Sequence, residues 1–215
     1  MPIPRTIIIG DVHGCSTELK NLIYKVEYQP KSDRLIFVGD LINKGPDSKG
    51  VLDFAMNYNA ECVLGNHEVE FLNHLEGIKM DPRMEKVRIQ LGENISQYTN
   101  WIKNQPLYIN EQDFLVVHAG LMPETKAEDT DSKILTSIRT WDGEGKDLKS
   151  DANPAWYDLY TDKKLVVYGH WALDGLNIRE NTIGLDSGCV YGNKLSALIL
   201  PKREIVQVDS NFSCL

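Results

Sequence analysis

Cysteine is sparse in this chain. The four residues, Cys15, Cys62, Cys189 and Cys214, are scattered, with neither a CxxC pair nor the spacing of a disulfide framework. That argues against a stapled extracellular scaffold and suits a reducing cytoplasm. Long apolar runs are also missing. No stretch approaches a membrane span, and Ile7-Ile8-Ile9 is too short for the core of a secretory leader, so neither membrane nor export is expected. Cations are outnumbered, 23 Lys plus Arg against 31 Asp plus Glu, for a net charge of −8. Binding an extended nucleic-acid backbone depends on clustered cations, so that class of partner is not expected. There is no internal repeat and no low-complexity linker. With 42% hydrophobic residues in a length of 215, one domain spanning 1–215 is the natural reading.

Several catalytic signatures are absent too. A cysteine phosphatase needs Arg six positions after its nucleophile; the residues there are Asn21, Glu68 and Leu195. An aspartyl-phosphate enzyme wants DxDx[TV] after a strand, and Asp129-Thr130-Asp131-Ser132-Lys133 fails at its last position and follows no strand. Neither a GxxxxGK[ST] phosphate loop nor a GxSxG elbow occurs.

What the chain does have is an alternation of short β-branched runs with amphipathic stretches. Residues 6–10, 35–39, 62–65, 114–117 and 165–169 read as buried strands. Leu19, Leu22, Ile23 and Val26 recur at helical spacing, and residues 47–58 and 67–75 read as two further helices. Residues 182–185, 195–200 and 205–208 look like successive strands, so the last third is expected to be a β-meander. Residues 123–154 suggest surface loops around one short helix. The helical stretch 84–101 is placed over the site as a cap, within a segment, 77–113, that has no other evident role. The class is α/β.

Each predicted strand ends on chemistry. The endings are Gly10-Asp11-Val12-His13-Gly14, Gly39-Asp40 followed by Lys44-Gly45-Pro46, Gly65-Asn66-His67-Glu68, His118-Ala119-Gly120 and Gly169-His170. Ligand sites in α/β sheets form beyond the carboxyl ends of strands. Imidazole, carboxylate and amide oxygen without thiolate is a donor set for first-row divalent metals. Residues i and i+2 of an extended segment point the same way, so Asp11 and His13 can grip one ion. Asp40 has two oxygens and can bridge two ions, with Asn66, His118 and His170 completing the second shell. Taken singly, each motif reads more readily as a turn; five in order at strand ends do not.

The series GDVHG, GDLINKGP, GNHE, HAG and GH resembles the calcineurin-like metallophosphoesterases, in their phosphoprotein phosphatase branch, over about residues 6–208. Within it, Trp156-Tyr157-Asp158-Leu159-Tyr160, then Val166-Val167-Tyr168-Gly169-His170-Trp171 and Leu185-Asp186-Ser187-Gly188-Cys189-Val190-Tyr191-Gly192, resemble the bacterial symmetrical bis(5'-nucleosyl)-tetraphosphatases. The last block is also similar to the phosphatase domain of bacterial polynucleotide kinase-phosphatases. The resemblance implies a metallophosphoesterase β-sandwich of two mixed sheets flanked by helices, in four layers α/β/β/α. It implies two divalent metals, manganese first and iron, zinc, cobalt or nickel as alternatives, with a bridging hydroxide cleaving a phosphate ester or anhydride. Asp11, His13 and Asp40 would bind the first ion, and Asp40, Asn66, His118 and His170 the second. His67 would donate the proton to the leaving oxygen, as suits a histidine beside dications.

Two positions depart from the pattern. Lys44 stands where most relatives carry Arg and keeps a cation for phosphate without the bidentate fork. Asn43 stands where protein phosphatases carry an Asp that orients the catalytic histidine, so an amide takes that place. Arg139 is a further phosphate-binding candidate beside Lys44 and Asn66. His74, two turns beyond His67, reads as a packed or solvated histidine, and Asp186 as a turn former with Ser187-Gly188. The substrate expectation is a dinucleoside polyphosphate, with a phosphoprotein or a 3′-phosphorylated end as alternatives. A non-catalytic scaffold ranks last, because it would not need all six ligands and the acid.

Overall fold

A computed structural model describes residues 4–212, and its ten strands form two five-stranded mixed sheets. The first sheet holds β1 (Thr6–Ile9), β2 (Arg34–Phe37), β3 (Glu61–Cys62), β9 (Lys194–Leu200) and β10 (Glu204–Asp209), in the order β10-β9-β1-β2-β3. The second holds β4 (Tyr108–Asn110), β5 (Phe114–Val117), β6 (Leu165–Tyr168), β7 (Asn177–Ile178) and β8 (Thr182–Gly184), in the order β4-β5-β6-β8-β7. The three strands that open the chain run parallel, Ile8 opposite Ile36 and Phe37 opposite Cys62. In the second sheet β5, β6 and β8 are likewise parallel.

The period of two along each strand sorts side chains between two layers. Ile8, Ile36, Val116, Leu165, Val167, Ile183 and Leu198 meet between the sheets as one apolar cluster. The alternate residues Ile7, Ile9, Leu35 and Phe37 face the helices, joining Leu19, Leu22, Val51, Leu52 and Phe71. Both faces of β1 are therefore buried, which is why it reads as an unbroken isoleucine run. On the outer face of the second sheet Leu115, Val117, Val166 and Tyr168 pack under Trp156, Leu135 and Ile138. Each such side chain contributes about 1.5–3 kcal/mol by leaving water.

Helices α1 (Ser16–Lys25), α2 (Ser48–Asn57) and α3 (Asn66–Leu75) follow β1, β2 and β3 in turn, so their N-termini lie at the strand ends. Asp47 fixes two of those starts: one carboxylate oxygen accepts Gly50 N–H at 2.8 Å and the other the Ser16 hydroxyl at 2.6 Å. Helices α4 (Pro82–Leu91) and α5 (Ile95–Lys103) follow, and the short α6 (Ser132–Ser137) comes after β5.

Two expectations change. The C-terminal strands are not a meander: β8 pairs with β6 and β7 in the second sheet, whereas β9 and β10 form a hairpin against β1 in the first. Alternation reports which residues are buried and not which strand they pair with, so the crossing between sheets leaves no local trace. The stretch 84–101 is not a lid but two helices packed on α2 and α3, with Met84, Val87, Leu91, Tyr98 and Ile102 in the core. They reach the strand-end loops through Gln90, whose side chain accepts Ser48 N–H and donates to the Gly45 carbonyl. The five chemistry-bearing strands belong to two sheets, β1 to β3 in one and β5 and β6 in the other. The site therefore lies across the sandwich and not along one sheet. No helix among the described residues is long and apolar enough to cross a membrane.

Candidate metal centre across the two sheets

The loops after β1 and β2 are bound to each other before any side chain is considered. Val12 and His13 N–H both donate to the Asp40 carbonyl, at 3.2 and 2.9 Å, and Gly14 N–H donates to Leu41 O at 2.8 Å. His13, Asp40, Asn43, Lys44 and His170 all have φ between 48° and 72°, the left-handed region that non-glycine residues rarely occupy. Such conformations persist only where the surroundings impose them, and five of them converge here. Close approach sets the glycines beside them: a Cβ on Gly169 would overlap Asp11 Oδ1, and one on Gly65 would overlap Asp40 Oδ1.

Asp40 is the hub. Its Oδ1 accepts His67 N–H at 3.0 Å from the first turn of α3. Its Oδ2 faces three imidazole nitrogens, His118 Nε2 at 3.5 Å, His13 Nε2 at 3.6 Å and His67 Nε2 at 3.8 Å. Two groups result whose ligand atoms lie within 4.8 Å of one another: His13, Asp40 and His67, and Asp40, His118 and His170. Asn66 joins the second, its Oδ1 lying 2.9 Å from His170 Nδ1 and 3.2 Å from His118 Nε2. The sequence places Asp11 with the first group and His67 outside it. Both Asp11 oxygens accept His170 N–H, at 3.2 and 3.1 Å, and His67 lies within reach of the first group.

Hydrogen bonds behind the rings decide which of the three nitrogens around Asp40 can bind a metal. His13 Nδ1 lies 3.1 Å from Ile42 O and His118 Nδ1 2.8 Å from Val38 O. A carbonyl only accepts, so each Nδ1 carries the proton. Burial holds both rings neutral, below the ordinary histidine range, so each Nε2 is a bare lone pair. His67 is arranged the other way round. Lys44 N–H donates to Asn43 Oδ1 at 2.8 Å, which turns the amide nitrogen toward His67 Nδ1, also at 2.8 Å. Nδ1 accepts, so the ring proton sits on Nε2, and a protonated nitrogen is no ligand. Burial, then His13 and Lys44, push the His67 pKa far below its ordinary value and keep this single-proton form.

The cluster is buried and short of positive charge. Burial pushes Asp40 up to about 7, and burial, then Asp186 and Asp40, raise Asp11 well above the ordinary carboxylate range. His118 Nε2, Asn66 Oδ1 and Asp40 Oδ2 converge, His118 Nε2 lying 3.2 Å from the amide oxygen and 3.5 Å from the carboxylate. His170 is only 9% exposed; its Nδ1 faces Asn66 Oδ1 at 2.9 Å, and the Ser137 backbone acts on the ring as a hydrogen-bond partner. Converging lone pairs in a desolvated pocket fit a divalent cation and little else.

Two residues in this centre escape the motif reading. Glu68, 1% exposed, accepts the backbone N–H groups of Asp40 at 2.8 Å, Leu41 at 2.9 Å and Gly65 at 3.0 Å, and burial pushes it up to about 7. Its signal was its place at the third position of a helix, where a glutamate reaches back to the start. Asp186 does form the expected turn, accepting Gly188 N–H at 3.1 Å, yet it is 5% exposed and its charge acts on Asp11 and Asp40. It follows β8, the neighbour of the strand ending in His170, a pairing that sequence does not reveal. Arg139 has a buried Nε without a partner among the described residues; after burial and His118, its charge helps hold His170 below the ordinary histidine range, and at Asp186 it offsets part of the rise that burial causes. His74 is packed, Nδ1 accepting Asp81 N–H at 3.1 Å.

Residues 4–199 match the family model described as calcineurin-like phosphoesterase. The chain belongs to that family. As a calcineurin-like phosphoesterase it is a hydrolase of phosphate esters or anhydrides, and the family implies divalent metal at a centre of this kind. It is similar to the symmetrical bis(5'-nucleosyl)-tetraphosphatase of Janthinobacterium sp. (strain Marseille), 29% identical with 94% of this chain and 95% of the relative covered. It is also similar to an asymmetrical relative, the bis(5'-nucleosyl)-tetraphosphatase PrpE of Oceanobacillus iheyensis, 30% identical over 94% of this chain and 91% of that one. Among solved structures, one described as "a putative diadenosine tetraphosphatase" superposes with a TM-score of 0.87 at 32% identity, covering 96% of this chain and 94% of the other.

Proposed function

We propose that this phosphoesterase hydrolyses dinucleoside tetraphosphates at a centre of two divalent metal ions, cutting the polyphosphate symmetrically. The observation that carries the reading is the sorting of imidazoles around Asp40 Oδ2: His13 and His118 offer lone pairs, and His67 offers a proton. Asp11, His13 and Asp40 would hold one cation, and Asp40, Asn66, His118 and His170 the second. Manganese is the ion that the family resemblance puts first, and the imidazole, carboxylate and amide donors suit iron, zinc, cobalt or nickel as well. Two such ions clamp the attacking and leaving oxygens of an in-line displacement and acidify water between them.

The chain's own residues do the rest. Lys44 and Arg139 bring cations to the bridging phosphates, and the Asn66 amide can share in holding the reacting one. His67 donates an Nε2–H hydrogen bond to the departing phosphate oxygen and stabilises the charge that develops there, while Asn43 keeps Nδ1 as an acceptor. Glu68 holds the Asp40 backbone in the conformation that turns Oδ2 toward all three rings. The deep burial of Asp11, His13, Asp40 and His118 excludes bulk water and strengthens every charge interaction within.

Relatives of both cleavage modes match the chain, so the products decide. Diadenosine tetraphosphate with manganese should give two ADP per molecule, read by ion-exchange chromatography. AMP plus ATP would replace the symmetrical reading with the asymmetrical one. Turnover confined to a phosphopeptide or a 3′-phosphorylated oligonucleotide in the same panel would replace the substrate class.

A further inference from the structure

Lys44 stands apart from the other groups of the centre, because its ammonium already occupies a ligand. Nζ lies 3.0 Å from His13 Nε2, the lone pair left bare by the Ile42 carbonyl. The backbone cannot shift it away. Gly45 N–H donates to His13 O at 2.9 Å, Lys44 N–H is held by Asn43, and the Gly45 carbonyl takes the Gln90 amide. Only the four-carbon stem is free to move. Lys44 is half-buried, and its charge acts on Asp40, Asp11, Asp186, His13, His67 and His118. The same ammonium lies 5.1 Å from the centre of the Tyr191 ring, so the imidazole and the phenol hold it together. On the other side of Asp40, no cation among the described residues makes a hydrogen bond to His118 or His170; their contacts are with Val38, Asn66, Asp11 and Ser137, and Arg139 and Lys149 act on His170 only through their charge.

We infer that Lys44 is a built-in counter-ion for the metal-free centre, which occupies the His13 ligand position and must swing out before that position takes a divalent cation. Three consequences follow from charge and geometry alone. The two metal positions are unequal, the His118–His170 side loading first and the His13 side more weakly. Release of the ammonium from His13 frees the cation for the substrate phosphate when the centre is complete. Lys44 thus couples metal loading to phosphate binding, a role an arginine with its planar fork would fill differently.

The inference rests on the two-metal reading, and the test separates the two. Chelator-stripped protein is titrated with manganese by calorimetry, wild type beside Lys44→Met, which keeps the apolar stem and removes the charge. Wild type should bind in two phases. In the variant the weaker phase should tighten by about tenfold or more, since both a competitor and a like charge are gone. The stripped variant should also melt lower than stripped wild type, its buried carboxylates having lost their cation. An unchanged or weakened second phase overturns the role of Lys44 and leaves the metal reading intact. No manganese bound to wild type overturns both. If Lys44→Met does not fold, wild type alone decides: amine acylation read by mass spectrometry should label Lys44 several-fold faster with manganese than without, against the other lysines. Equal or slower labelling with metal overturns the inference.

Discussion

On the two sides of Asp40 Oδ2 stand two histidines of the same design. His13 and His118 each give their Nδ1 proton to a backbone carbonyl and turn a bare Nε2 to the same oxygen, at 3.6 and 3.5 Å. What surrounds them differs. His13 Nε2 is met by an ammonium at 3.0 Å; His118 Nε2 is met by another acceptor, Asn66 Oδ1, at 3.2 Å. One half is electrostatically closed without metal and the other is not. Identical ligand atoms therefore do not make identical sites, because a ligand's affinity is set as much by what competes for its lone pair as by its own chemistry.

The largest effect should come from the oxygen that both halves share. Asp40→Asn is expected to remove both ions, seen by elemental analysis, and to lower turnover of diadenosine tetraphosphate by roughly 10³-fold or more. Loss of one ion with activity nearly intact would mean that Asp40 is no bridge. The same residue carries a pH signature in stripped protein. Asp40 and Glu68 stand at about 7, above the ordinary carboxylate range, because burial penalises their charge. A raised carboxylate pKa gives stability that is present at low pH and is lost as pH rises through the folded value. Stripped wild type should therefore lose melting temperature between about pH 4 and 7, and Asp40→Asn should flatten that slope.

His67 is next. If its Nε2 carries a proton, His67→Asn should leave metal content unchanged and lower turnover by roughly 10²–10⁴-fold on alkyl phosphates. The loss should be smaller for nitrophenyl phosphate, whose leaving oxygen needs no proton, and intermediate for the tetraphosphate. An equal loss on every substrate, or a fall in bound metal, would make His67 a positioning group or the third ligand of the His13 half.

Glu68→Ala probes the frame that holds the halves together. Three buried backbone N–H groups would lose their acceptor, and stability should drop by about 3 kcal/mol in thermal or urea melts. The smallest change is Asn43→Asp. A carboxylate there accepts from Nδ1 and favours the doubly protonated ring, so the His67-dependent limb of the pH–rate profile should move upward by about one unit. An unshifted profile would show that Asn43 does not set the proton's place.

Much of this was legible in the sequence, and the gaps share a cause. Asp11, His13, Asp40, Asn66, His118 and His170 could be singled out because each directly ends a strand whose apolar run is visible. The starts of α2 and α3 are readable to within one residue for the same reason. The proton on His67 depends on Lys44 N–H holding an amide oxygen, a contact that no spacing announces. Asp186 reads as a turn until β8 is seen beside β6. β4 and β7, with three and two residues, are too short to show a period. The 84–101 stretch looked like a cap because its apolar face was visible and the surface it covers was not. Pairing across distance is what the sequence withholds.

The central claim is that the strand-end cluster holds two unequal divalent ions and that hydrolysis needs both. Stripped protein titrated with manganese, with diadenosine tetraphosphate turnover and bound metal read on the same samples, tests it most directly. Activity should stay at background through the first equivalent and rise with the second. Full turnover in stripped protein, or a maximum at one ion per chain, would contradict it.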